Sequence, residues 1–332
     1  MSYLLGIDIG TTGTRAVIVR PDGTVVGAAT GDHLPMRMEK PGWAEQDPED
    51  WWEATMLAVQ GAMAEAGLKG SDIKAVGLSG QMHGVVLLDR ANAVLRPSLI
   101  WCDQRSQSQC DWVTAQVGSE RLIQLVSNPA LTGFSAPKLL WIRDHEPAVF
   151  ERAAHFLLPK DFVRYRLTGE FATDVSDASG TLLFDVTNRR WSKEMLSALG
   201  IDSELLPRAY ESPEITGKVT REAALLTGLV AGTPVVGGAG DQAASAVGNG
   251  IVLSGLTSST LGSSGVMFAY TGAPKLDPAG RIHTFCHAVP GKWHVMGVML
   301  AAGGSLRWYR DTFCQDEIAA ARKSGIDPYE LI

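Results

Sequence analysis

Cysteine, basic charge and long apolar runs are scarce in this chain of 332 residues. Its four cysteines form no Cys-x-x-Cys pair and have no histidine at zinc spacing, which argues against a disulfide framework and a structural metal. The 29 Lys and Arg residues are outnumbered by 36 Asp and Glu, so the basic patch expected of a nucleic-acid binder is missing. No apolar run approaches the ~20 residues of a membrane-spanning helix, and no basic segment precedes Asp8. We therefore expect a cytoplasmic protein without a membrane span and without a nucleic-acid partner.

The rest of the composition is that of an ordinary globular protein. Hydrophobic residues make up 45% and charged residues 20%, with a mean hydropathy of +0.04, which excludes a disordered chain. At one domain per ~150 residues, the length predicts two domains that bury their cores without staples. Glycine is abundant, with 36 residues, and indicates many positions where the backbone turns sharply or approaches a ligand closely.

The first part of the chain has the pattern of a strand-rich α/β domain. Three apolar segments, 3–9, 15–20 and 24–30, are separated by turn residues and predict an antiparallel meander. Asp47 then has the position of a helix N-cap, and Gly67 that of the residue that ends the helix. We expect the helix to pack on the meander through an apolar stripe.

Further strands and a long helical segment follow. A buried strand is predicted over 73–79, with its partner strand over 85–88. From about 105 to 235, short helices alternate with loops rich in Ser, Asp and Gly, which indicates an insertion into the domain. The segment 234–236 then enters a glycine-dense turn that leads into a small-residue helix, an arrangement suited to anion binding.

A hydroxyl-rich hairpin turn between two apolar strands occurs twice, at 8–14 and at 261–265. This repeat predicts an internal duplication of one α/β domain. Neither turn contains the P-loop pattern or a clear Gly-x-Gly-x-x-Gly, so both of those nucleotide fingerprints are lacking. Each turn alone is also compatible with a plain β-hairpin. Facing each other across a cleft, the two would present N–H groups and hydroxyls to a polyphosphate.

Several polar positions could carry chemistry, and spacing alone leaves their roles open. Asp8 suits a metal ligand or a turn-initiating residue, and Asp241 suits a catalytic base or a helix N-cap. His83 either presents its ring to a ligand from a loop or is a satisfied loop histidine. Asp103 and Arg105 either bind a polyol or pair with each other.

Seven motifs decide between these alternatives, because their joint order is highly specific. They are residues 8–15, 43–52, 80–84, 101–105, 133–145, 176–181 and 238–244. On these motifs the sequence resembles the FGGY family of carbohydrate kinases, and within it the xylulose kinases, over essentially the whole chain. An actin-like or chaperone ATPase is disfavoured, because such proteins need no sugar-type Gln-Met-His-Gly loop.

The resemblance implies a fold, a reaction and a division of the chain. The fold is an α/β ATPase fold of the actin/hexokinase (ribonuclease H-like) type with two duplicated domains. Residues 1–248 would form the sugar-binding domain and residues 249–332 the first part of the nucleotide-binding domain. The reaction would transfer the γ-phosphate of ATP, with Mg²⁺, to D-xylulose. Another ketose or polyol as substrate, and a sugar-binding protein without catalysis, remain alternatives.

The resemblance also implies site residues. Asp241 would be the catalytic base, and Asp8 the essential carboxylate near Mg²⁺. The expected sugar contacts are Gln81, Met82, His83, Trp101, Asp103, Asp241 and Gln242. The expected nucleotide contacts are Thr11, Thr12, Arg15, Gly262, Ser263, Gly303 and Arg307. Gln242 stands where the family often has Asn, a change that keeps the hydrogen-bonding capacity.

Family members are longer than this chain, and their additional C-terminal part contains the loop that contacts adenosine. We therefore expect the second domain to be truncated here, and the 332-residue chain alone to bind ATP poorly and to be a weak kinase. The resemblance also allows a homodimer.

Overall fold

The N-terminal meander forms as predicted in the computed structural model, which describes residues 2–262 and 264–332. The first elements are β1 (Tyr3–Ile9), β2 (Gly13–Val19), β3 (Val25–Asp32), β4 (Glu45–Gln46), α1 (Pro48–Ala66), β5 (Ile73–Gly80), β6 (Val86–Leu88) and β7 (Ser98–Leu99). Strands β1, β2 and β3 pair antiparallel, and β5 joins β1 in parallel. The sheet thus begins as a hairpin meander and continues as a parallel sheet.

Helix α1 begins and ends where the sequence predicts. The Asp47 carboxylate accepts a hydrogen bond from the Glu49 amide at 3.1 Å, and Gly67 adopts a φ of 64°. The helix packs on β3 so closely that a Cβ at Gly27 or Gly31 would collide with its backbone. Two glycines of β3 therefore serve helix packing rather than a turn.

The middle of the chain is mostly helical. Its elements are α2 (Gln107–Val117), α3 (Ser119–Val126), α4 (Ser135–His145), α5 (Pro147–Arg152), β8 (His155–Leu157), α6 (Pro159–Thr168), β9 (Ala172–Asp174), α7 (Val175–Ala178), β10 (Phe184–Asp185), β11 (Arg190–Trp191), α8 (Lys193–Leu199), β12 (Arg208–Tyr210), β13 (Ile215–Lys218), α9 (Arg221–Thr227) and β14 (Pro234–Val236), with short 3₁₀ turns at Ser179–Thr181 and Ser203–Leu205. The chain rejoins the first sheet at β13. The strand order of that sheet is β13-β14-β5-β1-β2-β3. The helical insertion is thus shorter than the 105–235 predicted.

The predicted pairing of the segment 85–88 with the preceding strand is wrong. Strand β5 has β1 on one side and β14 on the other, so neither edge is free. Strand β6 instead pairs antiparallel with β8, and all three of its residues are buried. A hydrophobic run predicts a buried strand but not the strand that it pairs with.

The last part of the chain forms a second, antiparallel sheet. Its elements are β15 (Ala239–Gly240), α10 (Asp241–Gly248), β16 (Thr257–Leu261), β17 (Gly265–Thr271), β18 (His283–Cys286), β19 (Trp293–Met299), α11 (Gly303–Phe313) and α12 (Gln315–Ser324), followed by a 3₁₀ turn at Pro328–Glu330. Strand β15 still belongs to the first sheet, whereas β16-β17-β19-β18 form the second. The hairpin β16–β17 has the same antiparallel form as β1–β2. In the described residues, β16 has no strand on its other edge, where β1 has β5.

The two largest hydrophobic clusters of the described residues hold these layers together. One lies between the first sheet and α1, and includes Trp51 and Val76. The other joins the helical segment to the second sheet, because Leu139 and Phe156 belong to the same cluster as Phe285. Across the described ranges, we find no helix that combines the length and the apolar character needed to cross a membrane.

Candidate functional site

A cavity of about 490 Å³ is lined by the helical segment, by the second sheet and by loops that follow strands of the first sheet. All three parts of the chain contribute to its wall. The residues that line it include Thr11, Met82, His83, Trp101, Gln104, Phe134, Asp241, Gln242, His283, Phe285 and Met296. Aromatic and apolar walls with a few polar groups are typical of a small-molecule pocket. We call this cavity the inner pocket.

A second, more open groove of about 820 Å³ adjoins the first sheet. Its lining includes Asp8, Arg15, Gly238, Asp241 and Gln242. Among the residues that the structure describes, Asp241 and Gln242 line both this outer groove and the inner pocket. A ligand bound in the inner pocket and a second ligand bound in the outer groove would therefore meet at the Asp241 carboxylate.

Asp241 occupies the first position of α10, directly after the strand and turn predicted from the glycine-dense segment. Its Oδ1 accepts a hydrogen bond from the Gln242 amide at 2.7 Å. The N-cap of this helix is Gly240, so the alternative that Asp241 is a plain N-cap is wrong. Burial, and next the negative charge of Asp8, raise the pKa of Asp241 to about 7.

Strand register brings Asp8 near this carboxylate. Asp8 on β1 is aligned with Ser79 on β5, and Ser79 is aligned with Ala239 on β15. On its other side Asp8 is aligned with Arg15 of β2. Both Asp8 and Arg15 are exposed and line the outer groove. Two carboxylates and a guanidinium thus converge on one face of the sheet.

The turn that carries Asp241 is compact, and two of its glycines are sterically required. Gly238 has a φ of 75°, and a Cβ there would collide with the backbone of Leu78. A Cβ at Gly240 would press on the side chain of Met82, at about 3 Å from its sulfur. The glycine-dense motif therefore places the helix start against the loop that carries Met82.

His83 presents a neutral ring to the inner pocket. Its Nδ1 lies 2.7 Å from the Gly180 carbonyl, which can only accept, so Nδ1 carries the hydrogen and Nε2 is an acceptor. Burial, and next the charge of Lys138, lower the pKa of His83 to about 3. His83 also has a φ of 71°, unusual for a residue other than glycine. Ser135 and Lys138 both donate to its carbonyl oxygen, at 3.1 and 3.2 Å, and hold this conformation.

Of three further residues predicted to contact the sugar, one lines the inner pocket and two do not. Trp101 lines the inner pocket, and its Nε1 donates to the hydroxyl of Thr11 at 2.9 Å. Gln81 is buried outside the pocket lining, where its Nε2 donates to the side chain of Gln46 at 2.9 Å. Asp103 is fully buried and binds Arg105 at 2.8 Å. The sequence left two alternatives for Asp103 and Arg105, and in the structure these two residues pair with each other.

The predicted nucleotide contacts are divided between two places. Arg15 lines the outer groove, whereas Thr11 lines the inner pocket, and Thr12 is exposed beside them. Gly303 begins α11 and donates its amide to the Gly262 carbonyl at 3.0 Å, so these two lie together at the second hairpin. The prediction for Ser263 falls outside the described residues, and Arg307 is exposed on α11.

No sequence motif predicted the contribution of the second sheet to the inner pocket. His283 and Phe285 of β18 line the pocket opposite Phe134, whose ring contacts both of theirs edge-on. His283 Nδ1 lies 3.1 Å from Oδ1 of Asn128, and burial lowers the pKa of His283 to about 4. About 150 residues separate these partners along the chain, and only tertiary packing brings them together.

Comparison with known proteins gives a consistent result. The model of the FGGY family of carbohydrate kinases, N-terminal domain, matches residues 3–248. A xylulose kinase of Escherichia coli K12 is 44% identical over 304 residues, which are 92% of this chain and 62% of that protein. A xylulose kinase of Bacillus subtilis is 39% identical over 98% of this chain and 65% of its own length.

Solved structures have the same fold. The xylulose kinase from Rhodospirillum rubrum superposes with a TM-score of 0.89 at 34% identity, over 97% of this chain and 65% of that chain. The gluconate kinase from Lactobacillus acidophilus superposes with a TM-score of 0.87 at 25% identity, over 97% and 66%. The present chain thus spans less than two thirds of the length of these relatives.

Proposed function

Since the chain belongs to the FGGY family of carbohydrate kinases, we propose that it acts as a sugar kinase that transfers the γ-phosphoryl group of ATP to O5 of D-xylulose. The family and the α/β fold of the actin/hexokinase type, both expected from the sequence, are confirmed. One observation carries the proposal of a transfer reaction: Asp241 lines both the inner pocket and the outer groove. A base at that position can activate an acceptor in one cavity toward a donor in the other.

The inner pocket suits a small polyhydroxylated acceptor. The neutral His83 ring offers Nε2 as a hydrogen-bond acceptor for a hydroxyl, while Met82 and Trp101 offer apolar surface to carbon. Relatives named xylulose kinase at 44% and 39% identity support D-xylulose as that acceptor. Its product would be D-xylulose 5-phosphate.

The Asp241 carboxylate has the properties of a general base. A pKa of about 7 places it near neutral pH, where a base both exists in its charged form and accepts a proton readily. The Gln242 amide occupies Oδ1, so Oδ2 is the oxygen to which we assign the hydroxyl proton. As the O–H bond breaks, the sugar oxygen bonds to the γ-phosphorus and ADP leaves with the bridging oxygen.

We propose that Mg²⁺ and the phosphates of the nucleotide bind in the outer groove. Mg²⁺ is usually held by one or two protein carboxylates together with substrate phosphates, and Asp8 and Asp241 supply two carboxylates in one groove. Their repulsion contributes to the raised pKa of Asp241, which a divalent cation would relieve. Asp8 would hold the ion and Arg15 would face the phosphates. MgATP, when bound, supplies the phosphoryl group.

Because ATP is the proposed phosphoryl donor and the four cysteines are free, we propose the cytoplasm as the place of action. The formal net charge of -7 gives no footprint for a nucleic-acid partner. The partner proposed is therefore the ketose itself.

Titration calorimetry with D-xylulose, D-ribulose, gluconate and glycerol tests the substrate, and a coupled ADP-release assay on the same protein tests the transfer. We expect D-xylulose to bind most tightly, and Asp241→Asn to keep ketose binding while lowering turnover on the order of 10²-fold or more. Tighter binding of another polyol would change the substrate class. In a chain completed to the full length of its relatives, ketose binding without ADP release in the presence of MgATP would instead indicate a sugar-binding unit.

A further inference from the structure

A buried cluster of four ionisable side chains lies behind the turn that carries Asp241. Lys160, Asp161, Asp174 and Asp177 are all fully buried. The Lys160 ammonium lies 2.6 Å from Asp161, 3.2 Å from Asp174 and 3.6 Å from Asp177. One cation therefore meets three carboxyl groups, and the proposed reaction uses none of them directly.

The charges in this cluster are not balanced one to one. Burial raises the pKa of Asp177 well above its ordinary value, and within the described residues its two oxygens accept no hydrogen bond. Burial acts against the charge of Lys160, but the three carboxyl groups overcome it and raise the pKa of that ammonium. Lys160 is therefore charged at neutral pH, and the surroundings of Asp177 disfavour its charged form. Because burying such groups is costly, a contribution to stability alone does not account for this cluster.

Two hydrogen-bond paths connect the cluster to both ends of the turn 237–240. At one end, the Lys160 ammonium donates to the Gly237 carbonyl at 3.2 Å. At the other, the Gly240 amide donates to the Ser176 hydroxyl at 3.1 Å, and that hydroxyl donates to Asp174 Oδ2 at 2.6 Å. Gly240 is the residue directly before Asp241.

We propose that Lys160, Asp174 and Ser176 are positioning residues for Asp241: they hold the turn 237–240 and so fix where the base stands between the inner pocket and the outer groove. The turn contains three glycines and has little conformational preference of its own. A catalytic group must be held to within about 0.5 Å of its productive position. The inference rests on the proposed role of Asp241 as the base.

Ser176 offers the sharpest test, because Ser179 provides a matched control on the next turn. Both serines are buried, and each hydroxyl accepts one backbone amide from a distant segment. Ser176 accepts from Gly240 at 3.1 Å, whereas Ser179 accepts from Cys286 at 3.0 Å. Replacing either serine by alanine removes a similar bond, but only Ser176→Ala removes a bond to the turn that precedes Asp241.

The primary measurement is the titration of the Asp241 carboxyl by NMR on the chain labelled with ¹³C-aspartate, the signal being assigned by its loss in Asp241→Asn. We expect Ser176→Ala to move the midpoint downward by about one pH unit, because a released turn admits water to the carboxylate. Ser179→Ala should leave the midpoint at the wild-type value. Thermal unfolding of the two variants should show similar losses of midpoint temperature.

If the wild-type chain phosphorylates D-xylulose, its turnover rate gives a second measurement. Ser176→Ala should lower kcat on the order of 10-fold or more while KM for the ketose is nearly unchanged, because misplacement of the base affects the transition state and not ground-state binding. Lys160→Met would remove the centre of the cluster. It would leave three carboxyl groups without a cation and could prevent folding, so the serine pair carries the test.

Two outcomes would overturn the inference. An Asp241 midpoint in Ser176→Ala equal to that of wild type would show that the cluster does not position the base. Equal shifts in Ser176→Ala and Ser179→Ala would show that both hydroxyls act only on overall stability. Failure of the proposed function has a different signature: wild type would neither bind nor phosphorylate D-xylulose, while the NMR titration would still compare the two serines.

Discussion

Replacing Asp241 by asparagine should stabilise the folded chain, and should do so increasingly as the pH rises. The carboxylate is only partly exposed, and burial together with Asp8 raises its pKa from 3.8 to about 7. An environment that raises the pKa of an acid disfavours its charged form in the folded state. Asparagine has nearly the same shape and carries no charge, so it removes that cost.

The direction of the pH effect follows from proton binding. Between pH 3.8 and about 7 the folded state holds the Asp241 proton while the unfolded state has lost it. The protonated Asp241 carboxyl therefore favours the folded state. This contribution is fully present below the pKa of the unfolded state and is lost as the pH rises through the pKa of the folded state. The full shift corresponds to about 4 kcal/mol at roughly 1.4 kcal/mol per pKa unit. Since the side chain keeps some access to water, we expect about 2 kcal/mol.

Urea unfolding followed by tryptophan fluorescence measures this difference. Asp241→Asn should exceed wild type by about 2 kcal/mol near pH 8 and by much less near pH 4. Asp8→Asn is the control, because it removes the second cause of the raised pKa. The gain from Asp241→Asn should shrink in the Asp8→Asn background. A gain that is independent of pH, or equal in both backgrounds, would refute the electrostatic reasoning.

Three further predictions concern other residues of the fold. His294→Phe should raise the free energy of unfolding by about 1–2 kcal/mol in thermal or urea denaturation. Both ring nitrogens of His294 are buried and, in the described part of the chain, have no hydrogen-bond partner. A decrease in the free energy of unfolding would indicate that these nitrogens do have a partner. Acidification from about pH 6.5 to 4 should destabilise the chain, because the folded-state pKa values of His83 and His283, about 3 and about 4, lie below the unfolded value of 6.5. His283→Gln should reduce that slope, and an unchanged slope would contradict the assignment. Gly238→Ala should lower the melting temperature and weaken ketose binding, because its φ of 75° and the nearby Leu78 backbone oppose a Cβ; wild-type values for both would show that the turn tolerates it.

The strands and helix that depend on neighbouring residues were predicted well. The meander, the helix Pro48–Ala66 with its caps, and the strand and turn that lead into the helix beginning at Asp241 all occur as expected. Pairing over longer distances was not predictable: the segment 85–88 pairs with His155–Leu157, because the expected edge is already occupied. A hydrophobic run specifies burial but not its partner.

The candidate site was predicted in part. Asp8, Met82, His83 and Trp101 each line one of the two cavities, and Asp241 lines both. Two other expected sugar contacts, at positions 81 and 103, have their polar groups occupied by protein partners and are absent from the pocket lining. Motif membership identifies a residue as part of the site region, but its hydrogen-bond partners decide whether a ligand can reach it.

The sequence by itself determined the family, the local elements and the residue types available for chemistry, because these depend on composition, turns and motif order along the chain. Tertiary structure decided that Asp241 stands between two cavities, that His283 of the second sheet reaches the inner pocket, and that Lys160 is buried among three carboxyl groups. Each of these depends on segments far apart in the chain, whose burial sets both their contacts and their protonation. No local pattern contains that information.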